Sequence, residues 1–300
     1  MTDTRSSHTS AYLLLTLTAL FWSGNFVLAR AMHASIPPMA LSFGRWLIAL
    51  ILLLPFGLPS LLAQRALWRP YWKRLIVLAL LGVTAFNSLV YIGLQSTGAT
   101  NAVLLNSFIP ILIAALGALL FRMPLKPVQL LAVMISFCGV LTIVSHGDPA
   151  RLLALDINRG DAIVFCAMVA WAVYTLLLRA LPAELDRLGL LTLQIAIGLL
   201  GILPLFLLER AAGRTVPFTA ASAATFAYMG SLPSLVAYYF YNLGVARVGA
   251  ARAGSFIHLM PAFGAILSML FLGEAVQGFH LAGIAAILAG VALSTRSGGR

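Results

Sequence analysis

Polar side chains recur at helical spacing inside runs of sequence that are otherwise apolar. Thr84, Asn87, Tyr91 and Gln95 follow one another at separations of three, four and four residues, so they share one helical face. A second shared face carries Ser231, Ser234, Tyr238, Tyr241 and Asn242. Amides and phenols in an apolar setting can bind a small polar molecule between helices, or they can hydrogen-bond one helix to another. Both interpretations stay open for these residues.

Two tryptophans stand near the centre of their apolar runs. Trp22 and Trp171 lie roughly eleven residues from the run ends, whereas Trp68 and Trp72 flank a run as interfacial tryptophans do. A flat solute could stack on the two central indoles, or the rings could pack in the protein core. The predicted binding set consists of these two tryptophans, of Asn87, Tyr91, Tyr238, Tyr241 and Asn242 from the two polar faces, and of five further residues: Asn25, Asn101, Asn106, Tyr174 and His258.

Two basic side chains within the apolar runs have more than one interpretation. His258 could carry a coupling proton, because histidine titrates near physiological pH, or it could be a neutral hydrogen-bonded residue. Arg45 follows Pro38 by seven residues, which is about 10 Å along a helix. We predict that Arg45 snorkels to the outer surface or makes a structural ion pair. If it faced a cavity instead, it would pair with a carboxylate.

The distribution of acidic residues limits the kind of solute. All eight lie outside the apolar runs or within a few residues of their ends. A site for cationic drugs usually needs a buried carboxylate, and a site for phosphorylated solutes needs several cations. A neutral or zwitterionic small molecule is therefore expected. The chain also has no nucleophile with an acid–base pair and no metal-ligand spacing, so we predict no enzymatic activity, no cofactor and no metal.

Composition identifies the medium in which the chain folds. Of 300 residues, 61% are hydrophobic and 9% are charged, and the mean hydropathy is +1.01. Soluble proteins have about 25% charged residues, so this chain is an integral membrane protein whose main partner is the lipid bilayer. The net charge of +11 is scattered between apolar runs, which indicates orientation in the membrane and not a nucleic-acid partner. No protein partner is indicated.

The apolar runs predict ten membrane helices. A helix needs about 20 residues to cross the hydrocarbon layer, and breaks at charges, Gly and Pro give the spans 11–33, 38–58, 74–95, 100–121, 128–145, 160–181, 188–209, 219–245, 252–272 and 279–296. With the N-terminus inside, thirteen Lys and Arg fall in inner segments and five in outer ones. Both termini are therefore predicted to be cytoplasmic.

The second half of the chain repeats the first. FWSGNFVLAR (21–30) matches AWAVYTLLLR (170–179), with Trp22 over Trp171 at an offset of 149. Pro110 falls on Pro261 at an offset of 151, each near the middle of its helix. Because five helices precede the repeat, the second copy is inverted in the membrane. We predict two five-helix repeats, 1–147 and 148–300, and the paired prolines as helix breaks that point to the binding site.

These segments resemble a known family. The five-plus-five repeat, with FWSGNFVLAR, NSFIPILIAALGALLF, AWAVYTLLLR and HLMPAFGAILSMLFLGE, is similar to the drug/metabolite transporter superfamily, EamA type, over the whole chain. Among its members the sequence looks most like bacterial aromatic amino acid exporters of the YddG type. The resemblance implies a central cavity between helices 1–4 and 6–9, helices 5 and 10 at the periphery, and a location in the bacterial inner membrane.

The predicted function is export of aromatic and other neutral amino acids by alternating access. Other neutral metabolites, such as a purine, a sugar or a drug-like solute, stay open as substrates. A membrane enzyme would need a clustered set of reactive groups, which the sequence lacks. A purely structural membrane protein has no reason to keep polar faces in both inverted halves.

Overall fold

The computed structural model describes residues 2–32, 34–124, 126–155, 157–182, 184–217, 219–272, 275 and 277–296. In these residues the chain is helical and forms no β-strand. The helices are α1 Thr2–Met32, α2 Pro38–Ala63, α3 Arg65–Gly93, α4 99–121, α5 Pro127–Val144, α6 Arg159–Arg179, α7 Arg187–Ala211, α8 220–248, α9 250–272 and α10 Gly278–Arg296, and a one-turn helix, Ala150–Leu153, precedes α6. The acidic Asp156 and Glu274 and the C-terminal Arg300 lie outside the described residues.

Eight of these helices are long and apolar enough to cross a membrane: α2 to α7, α9 and α10. The outward faces carry leucines such as Leu119, Leu200, Leu270 and Leu281, each more than 60% exposed. Such leucines on four helices suit contact with lipid. The all-helical membrane fold is thus confirmed. The crossing of the membrane by α1 and α8 stays a prediction.

The packing of the first five helices recurs in the last five. Helix α2 lies along α7, α5 along α10, and α4 against α9, so these three pairs of counterparts pack on each other. Helix α1 packs on α8 and α9, and the equivalent α6 packs on α3 and α4. The α5–α10 contact is especially close, because a Cβ added at Gly139 would lie 2.6 Å from the Gly283 carbonyl oxygen. Small residues let these backbones touch.

Four helices are interrupted near the middle of the bundle. In α4 a turn at 107–108 precedes the segment Ile109–Phe121, and in α9 the 3₁₀ turn Phe256–His258 precedes Leu259–Leu272. Pro110 and Pro261 thus stand in the first turn of the second segment, where a missing N–H costs little. The other two interruptions are π-helical turns, Leu80–Ala85 in α3 and Gly230–Val236 in α8. Turns of this kind are frequent at functional sites.

Helices α2 and α7 are joined at both ends. At the start of α2 the Glu209 carboxylate, from the end of α7, accepts hydrogen bonds from the backbone N–H groups of Met39 (3.2 Å) and Ala40 (2.7 Å). At the start of α7 the Asp186 carboxylate accepts from Gly189 N–H (2.9 Å) and from the Ser60 hydroxyl of α2. Negative side chains at helix N-termini are favourable. These hydrogen bonds therefore tie α2 to α7 at both ends.

Candidate solute-binding site

A small cavity lies where seven helices meet. Its walls come from α1, α2, α3, α4, α6, α8 and α9, through Trp22, Asn25, Arg45, Phe86, Asn87, Asn106, Ile109, Trp171, Tyr238, Ile257 and Met260. The cavity has a volume of about 30 Å³, which is enough for about two water molecules. This volume is smaller than a solute of amino-acid size, so the cavity must enlarge to bind one.

Arg45 is the charged residue of this cavity. Its side chain is 2% exposed, and it reaches across from α2 to three other helices. Its Nε donates to the Ser234 hydroxyl of α8 (2.7 Å), and its Nη1 donates to the Asn25 carbonyl oxygen of α1 (3.2 Å) and to the Tyr91 hydroxyl of α3. The prediction that Arg45 snorkels or forms an ion pair is therefore wrong. The depth along α2 was right, but this face of α2 turns toward the bundle axis.

The second terminal nitrogen of Arg45, Nη2, has no hydrogen-bond acceptor among the described residues. Asn106, which is 4% exposed, donates only to the Met260 sulfur at 3.6 Å, and sulfur is a weak acceptor. Both side chains line the cavity. Unused donors in a buried site are costly unless a ligand or water accepts from them. The cavity is thus prepared for a solute that carries hydrogen-bond acceptors and negative charge.

Aromatic rings form another part of the cavity lining. The Trp22 and Trp171 rings meet edge to face with centroids 5.1 Å apart, and Tyr238 lies 5.3 Å from Trp171 and 4.7 Å from Trp46. Edge-to-face contacts at these distances are favourable. Phe86 packs on Trp171 at 4.6 Å. The lining offers ring surfaces to an apolar or aromatic solute group, and the two central tryptophans, Trp22 and Trp171, contact each other there.

Two predicted site residues also hold the π turn of α3. Tyr238 donates its hydroxyl proton to the Gly82 carbonyl (2.9 Å), and the Asn87 amide donates to the Val83 carbonyl (2.9 Å). In α8, the Trp22 indole N–H donates to the Pro233 carbonyl at 3.1 Å. Carbonyls released by irregular helical turns need such partners in a membrane. These three side chains therefore both line the cavity and fix the shape of its walls.

Tyr174 and Asn242 lie away from the cavity lining. The Tyr174 hydroxyl donates to the Asn242 amide oxygen (2.8 Å), and both contact the Gln194 amide oxygen, at 3.3 and 3.4 Å. The Tyr241 hydroxyl shares a 3.0 Å hydrogen bond with Thr175. These groups join α6, α7 and α8 in the manner of interhelical hydrogen bonds.

Asn101 and His258 also contact other helices instead of lining the cavity. The Asn101 amide donates to the Asp161 carboxylate at the start of α6, with both distances 3.1 Å. The His258 Nε2 donates to the Ser107 carbonyl (2.9 Å), and its Nδ1 bonds the Ser136 hydroxyl of α5. His258 thus joins the interruption of α9 to that of α4.

Several cavity residues could not be read from the sequence. Phe86, Ile109, Ile257 and Met260 line the site, yet apolar residues give no signal in a chain that is apolar nearly throughout. The π turns were also missed, although Pro233 inside a predicted helix was a usable sign of the one in α8.

Comparison with known proteins agrees with this architecture. The model of the EamA-like transporter family matches residues 9–145 and 158–296. An uncharacterized transporter of Archaeoglobus fulgidus is 30% identical, over 96% of this chain and 98% of the relative. The uncharacterized transporter YyaM of Bacillus subtilis is 26% identical, over 95% and 93%. A probable terminal-alkyne amino-acid exporter of Streptantibioticus cattleyicolor is 27% identical, over 94% and 92%.

A solved structure titled "Crystal structure of protein" has the same fold. It superimposes with a TM-score of 0.75 at 20% identity and covers 97% of this chain and 98% of its own. At this identity the likeness concerns the fold alone. With the family model matching both halves of the sequence, this chain belongs to the EamA-like transporter family.

Proposed function

We propose that this protein exports neutral amino acids, aromatic ones among them, from the cytoplasm by alternating access through the central cavity. The observation that carries the proposal is a buried guanidinium with an uncommitted nitrogen, that of Arg45, in a cavity walled by indole and phenol rings. A carboxylate pairs with guanidinium by charge-assisted hydrogen bonds, and an aromatic side chain fits against ring surfaces. The described lining includes no acidic residue, which favours a zwitterion over a cation.

A relative supports the same substrate class. The Streptantibioticus cattleyicolor protein is named a probable amino-acid exporter, and its similarity to this chain extends over nearly the full length of both. Amino acids with an apolar side chain would present to this cavity the two features that its walls accept, a carboxylate and an apolar group.

Alternating access is consistent with the small volume of the cavity. We take the two halves as inverted repeats of five helices and the ten helices as membrane spans, with both termini in the cytoplasm of a bacterial inner membrane. The interruptions of α3, α4, α8 and α9 all lie near the cavity, where carbonyl groups already have side-chain partners. Movement about these interruptions would open the cavity to one side and close it to the other.

Transport by the purified protein in liposomes tests the proposal. The uptake of labelled phenylalanine, tryptophan, threonine and uracil is measured with and without an imposed pH gradient. We expect saturable movement of the amino acids above protein-free liposomes. Trp72→Ala, which removes an exposed indole, serves as the matched control and should transport as the wild type does.

The alternatives give distinct results in the same assay. Movement of uracil without any amino acid would replace the proposal with export of another neutral metabolite. Movement only with a pH gradient would establish proton coupling. If no solute moves while the protein is folded and inserted, the transport proposal for these solutes is refuted.

A further inference from the structure

We infer that Arg45 selects solutes by their carboxylate alone, so that aromatic monocarboxylates without an amino group share the cavity and cross it as anions. This inference uses the same cavity as the proposed function and rests on it. It extends the substrate class from amino acids to their amine-free counterparts, such as 2-hydroxy acids with an aromatic side chain.

In the Arg45 guanidinium, Nε and Nη1 donate hydrogen bonds, whereas Nη2 has no acceptor among the described residues. Ser234, Asn25 and Tyr91 hold its Nε and Nη1, and the Trp46 ring lies 5.1 Å from its central carbon. All of these contacts are neutral, so they orient the group without cancelling its charge. The remaining nitrogen belongs to a side chain that is 2% exposed and lines the cavity. A planar guanidinium held in this orientation has the geometry that binds a carboxylate.

Four acidic residues of the described chain make contacts elsewhere, and a fifth, Glu184, is exposed. Asp161 accepts from Asn101 and from its own helix start, Asp186 caps α7, and Glu209 caps α2. Asp148 faces Arg151 at 4.0 Å on the surface. The cationic cavity is therefore not balanced by these residues. A buried charge without a partner is unfavourable, and an incoming carboxylate relieves it.

An ammonium group finds much less in the same cavity. Among the described lining residues its partners are amide oxygens and ring faces, with no carboxylate. Ring faces attract cations only modestly. The carboxylate therefore contributes the decisive interaction, and replacement of the ammonium group by a hydroxyl removes no charged partner. The same replacement removes the positive charge of the solute, which would otherwise lie in one cavity with the positive charge of Arg45.

Charge movement separates the two solute types. A zwitterionic amino acid carries no net charge across the bilayer, whereas a monocarboxylate carries one negative charge per molecule. A membrane potential should thus drive the amine-free anion and leave amino acid flux unchanged.

Three matched probes test the inference: phenylalanine, 3-phenyllactate and phenylalaninamide. All three contain the same phenyl ring. Phenylalanine carries both a carboxylate and an ammonium group, 3-phenyllactate carries only the carboxylate, and phenylalaninamide carries only the ammonium group. Uptake is measured at pH 6.0, where the ammonium group of phenylalaninamide stays protonated, in liposomes with a potassium diffusion potential of either sign, and protein-free leak is subtracted. We expect phenylalanine and 3-phenyllactate to move and phenylalaninamide to stay out. Flux of 3-phenyllactate alone should rise when the destination compartment is positive.

Variants of Arg45 assign the effect to this residue. Arg45→Gln should reduce both carboxylate fluxes at least tenfold, as expected for loss of a charge-assisted pair. Arg45→Lys keeps the charge without the fork and should retain part of the activity. Arg74→Gln, at an exposed arginine, is the matched control and should retain full flux. Size-exclusion profiles and melting temperatures check folding, and if Arg45→Gln fails to fold, Arg45→Lys and the potential dependence of the wild type decide.

Each outcome has one meaning. Phenylalanine flux without 3-phenyllactate flux overturns the inference and leaves the proposed function standing. Flux of 3-phenyllactate without phenylalanine supports selection by the carboxylate and overturns amino acid export. Phenylalaninamide flux equal to that of phenylalanine overturns selection by the carboxylate, as does full carboxylate flux in a folded Arg45→Gln variant. Absence of flux for all three probes overturns both proposals.

Discussion

The two halves of the chain place polar side chains at equivalent positions, but only one set faces the cavity. Arg45 and Asn25 correspond to Gln194 and Tyr174 at an offset of 149, and Tyr91 corresponds to Asn242 at 151. In both halves these residues hydrogen-bond one another. In the first set Arg45 carries a positive charge and lines the cavity with Asn25, while Tyr91 lies outside the lining and hydrogen-bonds Arg45. The second set is neutral, and its members hydrogen-bond one another.

We propose that this difference gives a duplicated scaffold one binding site instead of two. The backbone positions recur because the helix packing recurs, but a single change from amide to guanidinium decides where negative charge is attracted. The second set is left with a buried Gln194 Nε2 that has no partner among the described residues. In the proposed function the first set binds the solute, whereas the hydrogen bonds of the second set join α6, α7 and α8.

The strongest test of this comparison truncates the central residue of each set. Arg45→Ala should reduce transport at least tenfold, because it removes the charge and leaves Asn25 and Tyr91 without their donor. Gln194→Ala should retain transport and lower the free energy of unfolding by about 1 kcal/mol, the size of an ordinary hydrogen bond. Liposome uptake and thermal unfolding in detergent measure the two effects. Equal losses of transport in Arg45→Ala and Gln194→Ala would show that both sets contribute equally to transport.

The second test concerns the aromatic wall. Trp22→Ala should impair transport several-fold while membrane insertion stays normal, since the indole lines the cavity and supports the Pro233 carbonyl. Its packing with Trp171 and Tyr238 would also be lost, which lowers stability by about 3 kcal/mol. Uptake is compared at equal amounts of inserted protein. Normal uptake by the inserted variant would remove Trp22 from the site.

Much of the fold could be predicted from the sequence, because long apolar runs broken by charges, Gly and Pro mark the helices. The match of Pro110 with Pro261 also predicted interruptions at equivalent places in α4 and α9. The π turns could not be predicted in the same way. Their released carbonyls are stabilised by side chains far away in sequence, such as Tyr238 on the Gly82 carbonyl.

The site itself was only partly predictable. A polar residue inside a membrane helix turns inward, but spacing alone does not say whether it meets a cavity or another helix. Asn87 and Tyr238 line the cavity, whereas Asn101 and His258 contact neighbouring helices. For Arg45 the distance along α2 was known from the sequence, but the rotation of α2 about its axis depends on how it packs on α7.

A third test compares two buried phenols on α8. Tyr238→Phe leaves the Gly82 carbonyl of the π turn with Asn87 alone, whereas Tyr241→Phe removes only a bond to the Thr175 hydroxyl. We expect a loss of about 1 to 2 kcal/mol in unfolding free energy for the first and less than about 1 kcal/mol for the second. Only the first should change transport. A reversed order would show that the π turn is not what Tyr238 supports.

The smallest expected effect on transport belongs to His258→Asn. His258 lies outside the cavity lining and joins the interruptions of α9 and α4 through the Ser107 carbonyl, with Ser136 on its other nitrogen. Ser107 is its counterpart in the first half at an offset of 151, so this contact joins equivalent points of the two halves. The substitution should lower the free energy of unfolding by about 1 kcal/mol through one lost hydrogen bond. The response of uptake to an imposed pH gradient should stay unchanged. A pH response that is present in the wild type and absent from the variant would instead make His258 the coupling site, and the contact between the two interruptions would then be where proton and solute movement meet.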